Sequence, residues 1–249
     1  MGDKSKSGDR RIVYGRNPVL EALASGAEID RIYIQKDIEG AGKKIYALAK
    51  KAGIPVAPLD RRALSREAGT AAHQGVAAVM SSFNYVGIGD ILAAAAALGE
   101  APFIVILDGI EDPHNLGAVI RSADGAGAHG VVIRADRAAQ VTPAAVKASA
   151  GAAVRAPVAR VTNIARAIDE LKERGVWVYG ADADGEDYAS LTYEGAAALV
   201  IGSEGSGISR LVREKCDRIV SIPLRGKLSS LNASCAAAVV LFEMAKDRP

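Results

Sequence analysis

Three times in its second half, this chain runs from a short apolar segment into a Gly/Ser/Asn-rich turn and on into a helix-like stretch. The segments are LDGIEDPHNLGAVIR (residues 107–121), IGSEGSGIS (201–209) and IPLRGKLSSLNAS (222–234). Each reads as a strand whose carboxyl end opens a polar turn before a helix. In an α/β protein such turns gather at one edge of the sheet, where backbone N–H groups are free to hold a ligand. Three of them in one chain point to one composite site.

The surrounding pattern agrees. Strands are expected at residues 103–107, 130–133, 158–161, 177–179, 199–201 and 219–222, and helices at 116–126, 143–148, 164–174, 206–215 and 232–246. That rhythm implies a parallel sheet with helices on both faces. Residues 11–82 alternate shorter pieces and form a separate small α/β module. There Asn17 is expected to cap a helix over residues 18–24, with Pro18 at its first position. A second helix is expected at 43–52, and strands at 31–35, 55–58 and 76–80. Residues 1–10, MGDKSKSGDR, lack apolar periodicity and are expected to be disordered; 83–101 read as a linker and an Ala-rich helix, and 102–249 as the second domain.

Composition narrows the class. With 249 residues, 49% of them hydrophobic, the chain can bury substantial cores. No apolar run reaches the roughly 18 residues of a membrane span, and no secretory h-region is visible. Two cysteines make no disulfide framework, so a cytoplasmic protein is expected. Net charge is only +2, but residues 1–85 hold 14 Lys/Arg against 9 Asp/Glu, while the rest holds 17 against 20. A basic first part suits a phosphate-steering module, or simply a solvated surface.

Several chemistries are poorly supported. The run GSEGSG (202–207) is G-x-x-G-x-G, and the dinucleotide register from Gly205 meets Arg210 where the third glycine belongs. Gly226-Lys227 is no P-loop, because Leu228 replaces the required Ser/Thr and Ser221 the first glycine. His73, His114 and His129 show no metal-ligand spacing with one another or with Cys216 and Cys235, so no metal is expected. Cys235 falls on an expected helix and Cys216 at the end of another, and both read as core residues rather than nucleophiles. That argues against base methylation through a cysteine adduct.

The three segments resemble, in order, the motifs of the SpoU (TrmH-type) branch of the SPOUT methyltransferases, over about residues 102–247. YGRNPVLEAL (14–23) and HQGVAA (73–78) are similar to the substrate-binding domain of the RlmB-like subgroup. The resemblance implies a C-terminal trefoil knot and S-adenosylmethionine as cofactor. It implies methylation of a ribose 2′-hydroxyl, on a guanosine of 23S rRNA, by a homodimer whose RNA sites are each built partly from the other subunit. No membrane or DNA partner is expected.

The resemblance places Gly202, Ile222 and Leu231 against the cofactor, largely through backbone groups around adenine. It places Arg121 at the 2′-hydroxyl, as base or, since a guanidinium ordinarily stays protonated, as the group that orients the oxygen and binds phosphate. The apolar residues 117–120 before Arg121 are expected to desolvate it. Asn115 would orient Arg121 or bind the nucleotide. Glu204 would accept hydrogen bonds from substrate or hold Arg121, or simply sit at a helix N-terminus. Ser230 and Asn232 would line the site, and an Asn or Ser there is also a helix cap. Lys147 and Arg155 are candidate RNA contacts or solvated surface. One departure is Val154, where the family often carries an acidic residue. A tRNA substrate and a non-catalytic role in ribosome assembly are the alternatives; the presence of Asn115, Arg121, Glu204 and Asn232 argues against the second.

Overall fold

The structure, a computed structural model, describes residues 12–25, 27–36, 38–81, 83–227, 230–246 and 248. The expected disordered tail lies outside them. The described chain forms two compact units, one ending at Asn84 and one beginning at Tyr85.

The first unit is a four-stranded mixed sheet. Its strands are β1 (Ile12–Tyr14), β2 (Ile29–Gln35), β3 (Val56–Leu59) and β4 (Val76–Met80), in the order β1-β4-β2-β3. Its helices are α1 (Arg16–Ala24), α2 (Ala41–Lys51) and α3 (Arg61–Ala68). Successive strand residues point to opposite faces. Ile32 and Ile34 of β2 join Val76 and Ala78 of β4 against Val19 of α1 and Ile45 and Ala49 of α2. Tyr33 and Ala77 point the other way, onto Leu64 and Ala68 of α3.

Helix α1 corrects one expectation. It begins at Arg16, and the cap position is Gly15, whose φ of 95° an L side chain rarely adopts. Asn17 lies inside the first turn. The side chain of Gln74, distant in sequence, accepts the Arg16 N–H at 3.2 Å. A long-range cap has displaced the local one.

The second unit carries a fully parallel sheet of six strands: β5 (Phe103–Asp108), β6 (Gly130–Arg134), β7 (Val158–Val161), β8 (Trp177–Asp187), β9 (Ala197–Gly202) and β10 (Arg218–Ser221). Their order is β10-β8-β9-β5-β6-β7. The helices are α4 (Ile88–Leu98), α5 (Pro113–Gly125), α6 (Pro143–Ala148), α7 (Ile164–Glu173), α8 (Arg210–Lys215) and α9 (Ala233–Ala245). Ile104, Ile106, Val132, Val178 and Val200 face α4, α7 and α8. Their neighbours Phe103, Val105, Leu107, Leu199 and Ile201 are equally buried on the opposite face, where α5 and α9 pack. The expected helix-covered parallel sheet is therefore present. Helix α4, read from sequence as following a linker, buries Ile88 and Ile91 in this unit's core. Among the described residues no helix is long and apolar enough to cross a membrane.

Two boundaries differ for physical reasons. Strand β8 runs 11 residues rather than three. Its acidic second half has no apolar alternation, but β10 pairs with it after a register shift: Ile219 lies opposite Gly180, and the next residue, Val220, opposite Glu186. Helix α5 starts three residues early, because Asp112 caps it by accepting the His114 N–H at 2.9 Å and Pro113 fills the first turn.

Gly117 shows why the first motif needs a glycine inside a helix. A Cβ there would lie 2.4 Å from the carbonyl oxygen of Ala145 and 2.6 Å from the Cβ of Ala148, so α5 and α6 touch through bare backbone. Gly117→Ala is expected to cost about 1–3 kcal/mol, the usual range for overpacking. A denaturant midpoint unchanged from the parent would contradict this.

Candidate functional site

The three polar turns meet because β9 lies between β5 and β8, and β10 flanks β8. The β5–β9 register sets Asp108 opposite Gly202. Asp108 is buried, and its carboxylate accepts the N–H of Ser209 at 2.8 Å. It thus ties the start of the first motif to the end of the second. Sequence reading passed over it; the only signal was a carboxylate ending an apolar strand.

The second motif folds into a closed turn. Ser203 and Gly207 exchange backbone hydrogen bonds of 3.0 and 2.9 Å, and the hydroxyls of Ser203 and Ser206 meet at 2.7 Å. Helix α8 starts only at Arg210, four residues later than expected, because this turn consumes the intervening residues. Gly202 is buried beneath it. A Cβ on Gly202 would lie 2.1 Å from the carbonyl carbon of Gly207.

A cavity of about 710 Å³ opens beside this turn. Gly202, Ile222 and Leu231 all line it, as do Glu204 and Ser230. Its other wall is the segment from Ala181 to Ala183, which follows the first half of β8. That segment is clasped by Arg213 of α8, which pairs with Asp182 at 2.7 Å and Asp184 at 2.9 Å. Burial pulls the Arg213 pKa down, but the Asp184 and Asp182 carboxylates outweigh it and hold the value above the ordinary one.

Three expected site residues form one hydrogen-bond network. Asn115 Nδ2 donates to Glu204 Oε1 at 2.6 Å. Asn232 Nδ2 donates to the same oxygen and to Asn115 Oδ1, the latter at 3.1 Å. Asn232 Oδ1 meanwhile accepts from the N–H groups of Ser234 and Cys235, capping α9. One asparagine therefore fixes the start of α9 and both polar partners. These residues lie 28 to 117 positions apart along the chain, joined at one point.

Arg121 is placed elsewhere. It is exposed, does not line the cavity, and makes no hydrogen bond or ion pair among the described residues. The desolvated setting expected from sequence is absent. Helix α5 buries Leu116, Gly117, Val119, Ile120 and Ala123 on one stripe, and Arg121 falls outside it. Neither Asn115 nor Glu204 bonds to it; they bond to each other.

The remaining candidates are quickly placed. Cys216 is half-buried; burial pushes its thiol up to about 12, and its Sγ contacts the Val212 carbonyl. Cys235 is exposed on α9, correcting the core reading: the inward face is taken by Ala237, Val240, Leu241 and Met244. His73 and His129 are buried and hydrogen-bonded to neighbouring backbone N–H groups. Arg155 pairs with Asp124 at 3.1 Å. Val154 is 73% exposed. Among the described residues no cluster of His, Cys, Asp and Glu is arranged to hold a metal ion.

The lining also speaks to charge. Among the described residues around the cavity there is no Lys, Arg or His, whereas Asp182 and Glu204 contribute carboxylates. A ligand bearing phosphates would find no cation there. A ligand with a flat apolar ring and a cationic tail would find the apolar side chains of Ile222 and Leu231 and two carboxylates.

Comparison with known proteins gives this arrangement its place. The signature of the SpoU rRNA Methylase family matches residues 102–242, more than half the chain. The chain belongs to the SpoU methylase family. A second signature, RNA 2′-O ribose methyltransferase substrate binding, matches residues 12–86. YacO of Bacillus subtilis, named for the TrmH family of tRNA/rRNA methyltransferases, is 44% identical over 238 residues, covering 95% of both chains. A protein of Mycolicibacterium vanbaalenii named as an uncharacterized tRNA/rRNA methyltransferase is 44% identical over 251 residues, covering all of this chain and 80% of its own. The crystal structure of the SpoU methyltransferase AviRb from Streptomyces viridochromogenes, in complex with the cofactor AdoMet, superposes with a TM-score of 0.60 at 27% identity. That match covers 94% of this chain and 89% of AviRb. This chain is thus a SpoU-family RNA methyltransferase in which the substrate-binding signature precedes the methylase signature.

Proposed function

We propose that this SpoU protein transfers a methyl group from S-adenosylmethionine to the ribose 2′-hydroxyl of a guanosine in 23S rRNA, in the cytoplasm. The observation that carries the reading is a cavity lined by the second and third motifs, with no Lys, Arg or His among its described lining residues, to which the first motif is joined through the Asn115–Glu204–Asn232 network.

The cofactor, when bound, would supply a methyl group on a sulfonium: the 2′-oxygen gains the methyl, the S–CH₃ bond breaks to leave the neutral thioether, and the hydroxyl proton is released to solvent. Gly202, Ile222 and Leu231 hold it, with backbone groups and apolar side chains against the adenine. Glu204, oriented by two asparagine amides, presents a fixed acceptor to the ribose. Arg121 binds phosphate and orients the 2′-oxygen. Alignment of nucleophile and leaving group is the main contribution asked of the protein.

Because Arg121 lies outside the cavity of its own protomer, a homodimer completes the site in this reading. Support comes from α9, where Phe242 is 55% and Val239 38% exposed. Phe242 sits beside Gly125 at the end of α5, the helix that carries Arg121. The C-terminal trefoil knot belongs to the same reading; the chain leaves β9, crosses β8 to reach β10, and returns through α9 onto α5.

The test is transfer of radiolabelled methyl to unmodified 23S rRNA fragments, with mapping of alkali-resistant linkages. One resistant guanosine linkage is the expected result. Transfer only to tRNA would replace the substrate, and transfer to no RNA would remove the activity. A finer check is Asn232→Ser. Serine is a good helix cap, so stability should hold within about 0.5 kcal/mol, whereas Asn232→Ala should lose about 1 kcal/mol. Both should lower transfer, since both remove the amide that orients Glu204. Full activity in Asn232→Ser would separate the network from catalysis.

A further inference from the structure

The first unit contains a cleft of about 570 Å³ that the reaction described so far leaves unused. Its rim includes Arg16, Gln35, Glu39, Arg61 and Gln74. The two sequence segments that mark this unit, around Gly15 and His73, meet there.

The cleft is rigidly built. His73 is 1% exposed. Its Nδ1 accepts the Gly75 N–H at 2.9 Å, so its Nε2 carries the proton and donates to Ser65 Oγ, also at 2.9 Å. Ser65 in turn donates to the Arg61 carbonyl at 2.9 Å. That chain of bonds locks the 71–75 loop onto α3. Between them Gln74 is held at φ 51°, a left-handed conformation uncommon for a residue with a side chain. Its carbonyl accepts from Arg16 Nε at 3.1 Å, and its side-chain oxygen from the Arg16 N–H.

What remains open on the rim is a set of donors. The Gln74 Nε2, the terminal guanidinium nitrogens of Arg16 and the Arg61 guanidinium make no hydrogen bond among the described residues. Lys36 and Arg66 stand nearby. The Asp60 carboxyl at the start of α3 is held below its usual range first by the Ala63 N–H and then, beyond other causes, by the charges of Lys36 and Arg66. Glu39 is the acidic side chain on the rim.

Planar donors around a fixed cleft suit the acceptor-rich edge of a nucleobase and its phosphate. Paired RNA hides those edges in a deep, narrow groove, whereas loops and bulges display them. We infer that this cleft receives one unpaired nucleotide of the RNA substrate, with Gln74 and Arg16 on the base edge and Arg61 on phosphate. The inference rests on the RNA methyltransferase reading above and names the form of RNA that its first unit selects.

The experiment measures fluorescence anisotropy of the full chain with a labelled 23S rRNA hairpin and with the same stem closed into a loopless duplex. Wild-type protein should prefer the hairpin. Arg61→Ala and Gln74→Asn should each weaken hairpin binding about tenfold, with smaller effects on the duplex, and Arg61→Ala should lower the salt slope by about 1. Arg61 is exposed, and asparagine tolerates the left-handed backbone, so both variants should fold; a far-UV circular dichroism spectrum and thermal unfolding matching wild type confirm that they do. Variants that bind the hairpin as tightly as wild type, or that weaken hairpin and duplex alike, overturn the inference. If that happens while wild type still binds and methylates RNA, the methyltransferase reading stands; wild-type protein that binds no RNA overturns both.

Discussion

Arg121→Ala should reduce methyl transfer by roughly 10²–10³-fold, the usual loss when a positioned charge-stabilising donor is removed. It should do so without disturbing the fold. The side chain is exposed on α5 and makes no hydrogen bond or ion pair among the described residues, and alanine is the best helix former. Stability should therefore stay within about 0.5 kcal/mol of the parent. S-adenosylmethionine affinity should also persist, because Arg121 does not line the cavity. The informative measurement is kcat/KM for RNA beside a calorimetric affinity for the cofactor. Full transfer by the variant would remove Arg121 from the mechanism. Loss of both transfer and cofactor binding would place it in the cavity instead.

Gly202→Ala should have the opposite signature. The added methyl would stand 2.1 Å from the Gly207 carbonyl carbon and 2.2 Å from the Ile208 nitrogen. Both are backbone atoms of the closed turn and cannot swing aside. The 203–207 turn must shift, breaking the paired hydrogen bonds between Ser203 and Gly207 and moving Glu204 off its asparagines. Cofactor affinity is expected to fall at least tenfold, and stability by about 1–3 kcal/mol. Gly205→Ala supplies the control within the same motif. A Cβ there meets nothing within 4 Å, so that variant should behave like the parent. Equal losses in the two variants would mean that the close packing beneath the turn is not what the glycine serves.

The alternation that defines the fold class was legible because buried parallel strands leave continuous apolar runs. Residues 103–107 could scarcely be anything but an interior strand, and β5 spans Phe103–Asp108. Elements stabilised by distant partners were not legible in the same way. The acidic second half of β8 is a strand because β10 pairs with it, and no local preference announces that. Strand β1 is three residues long and exists by pairing with β4. Helix α3 carried only an Asp60 cap, two buried residues and a terminal Gly69 as signals. An Asx-Pro pair marks a true cap at Asp112-Pro113 but not at Asn17-Pro18, because the helix has already begun at Arg16, whose N–H the Gln74 side chain accepts.

The site divides along the same line. Sequence by itself determined which residue types were available: three glycine- and serine-rich turns at strand ends, and Asn115, Glu204 and Asn232 within them. Only the tertiary structure decided that these three side chains bond to one another rather than to Arg121, that Asp108 links the first two motifs, and that Arg121 faces solvent. The physical reason is range. Apolar periodicity and helix caps act over a few residues and are written in the local sequence. Hydrogen bonds between side chains 89 to 117 residues apart depend on strand order and register, which are set by how the whole sheet buries its two faces.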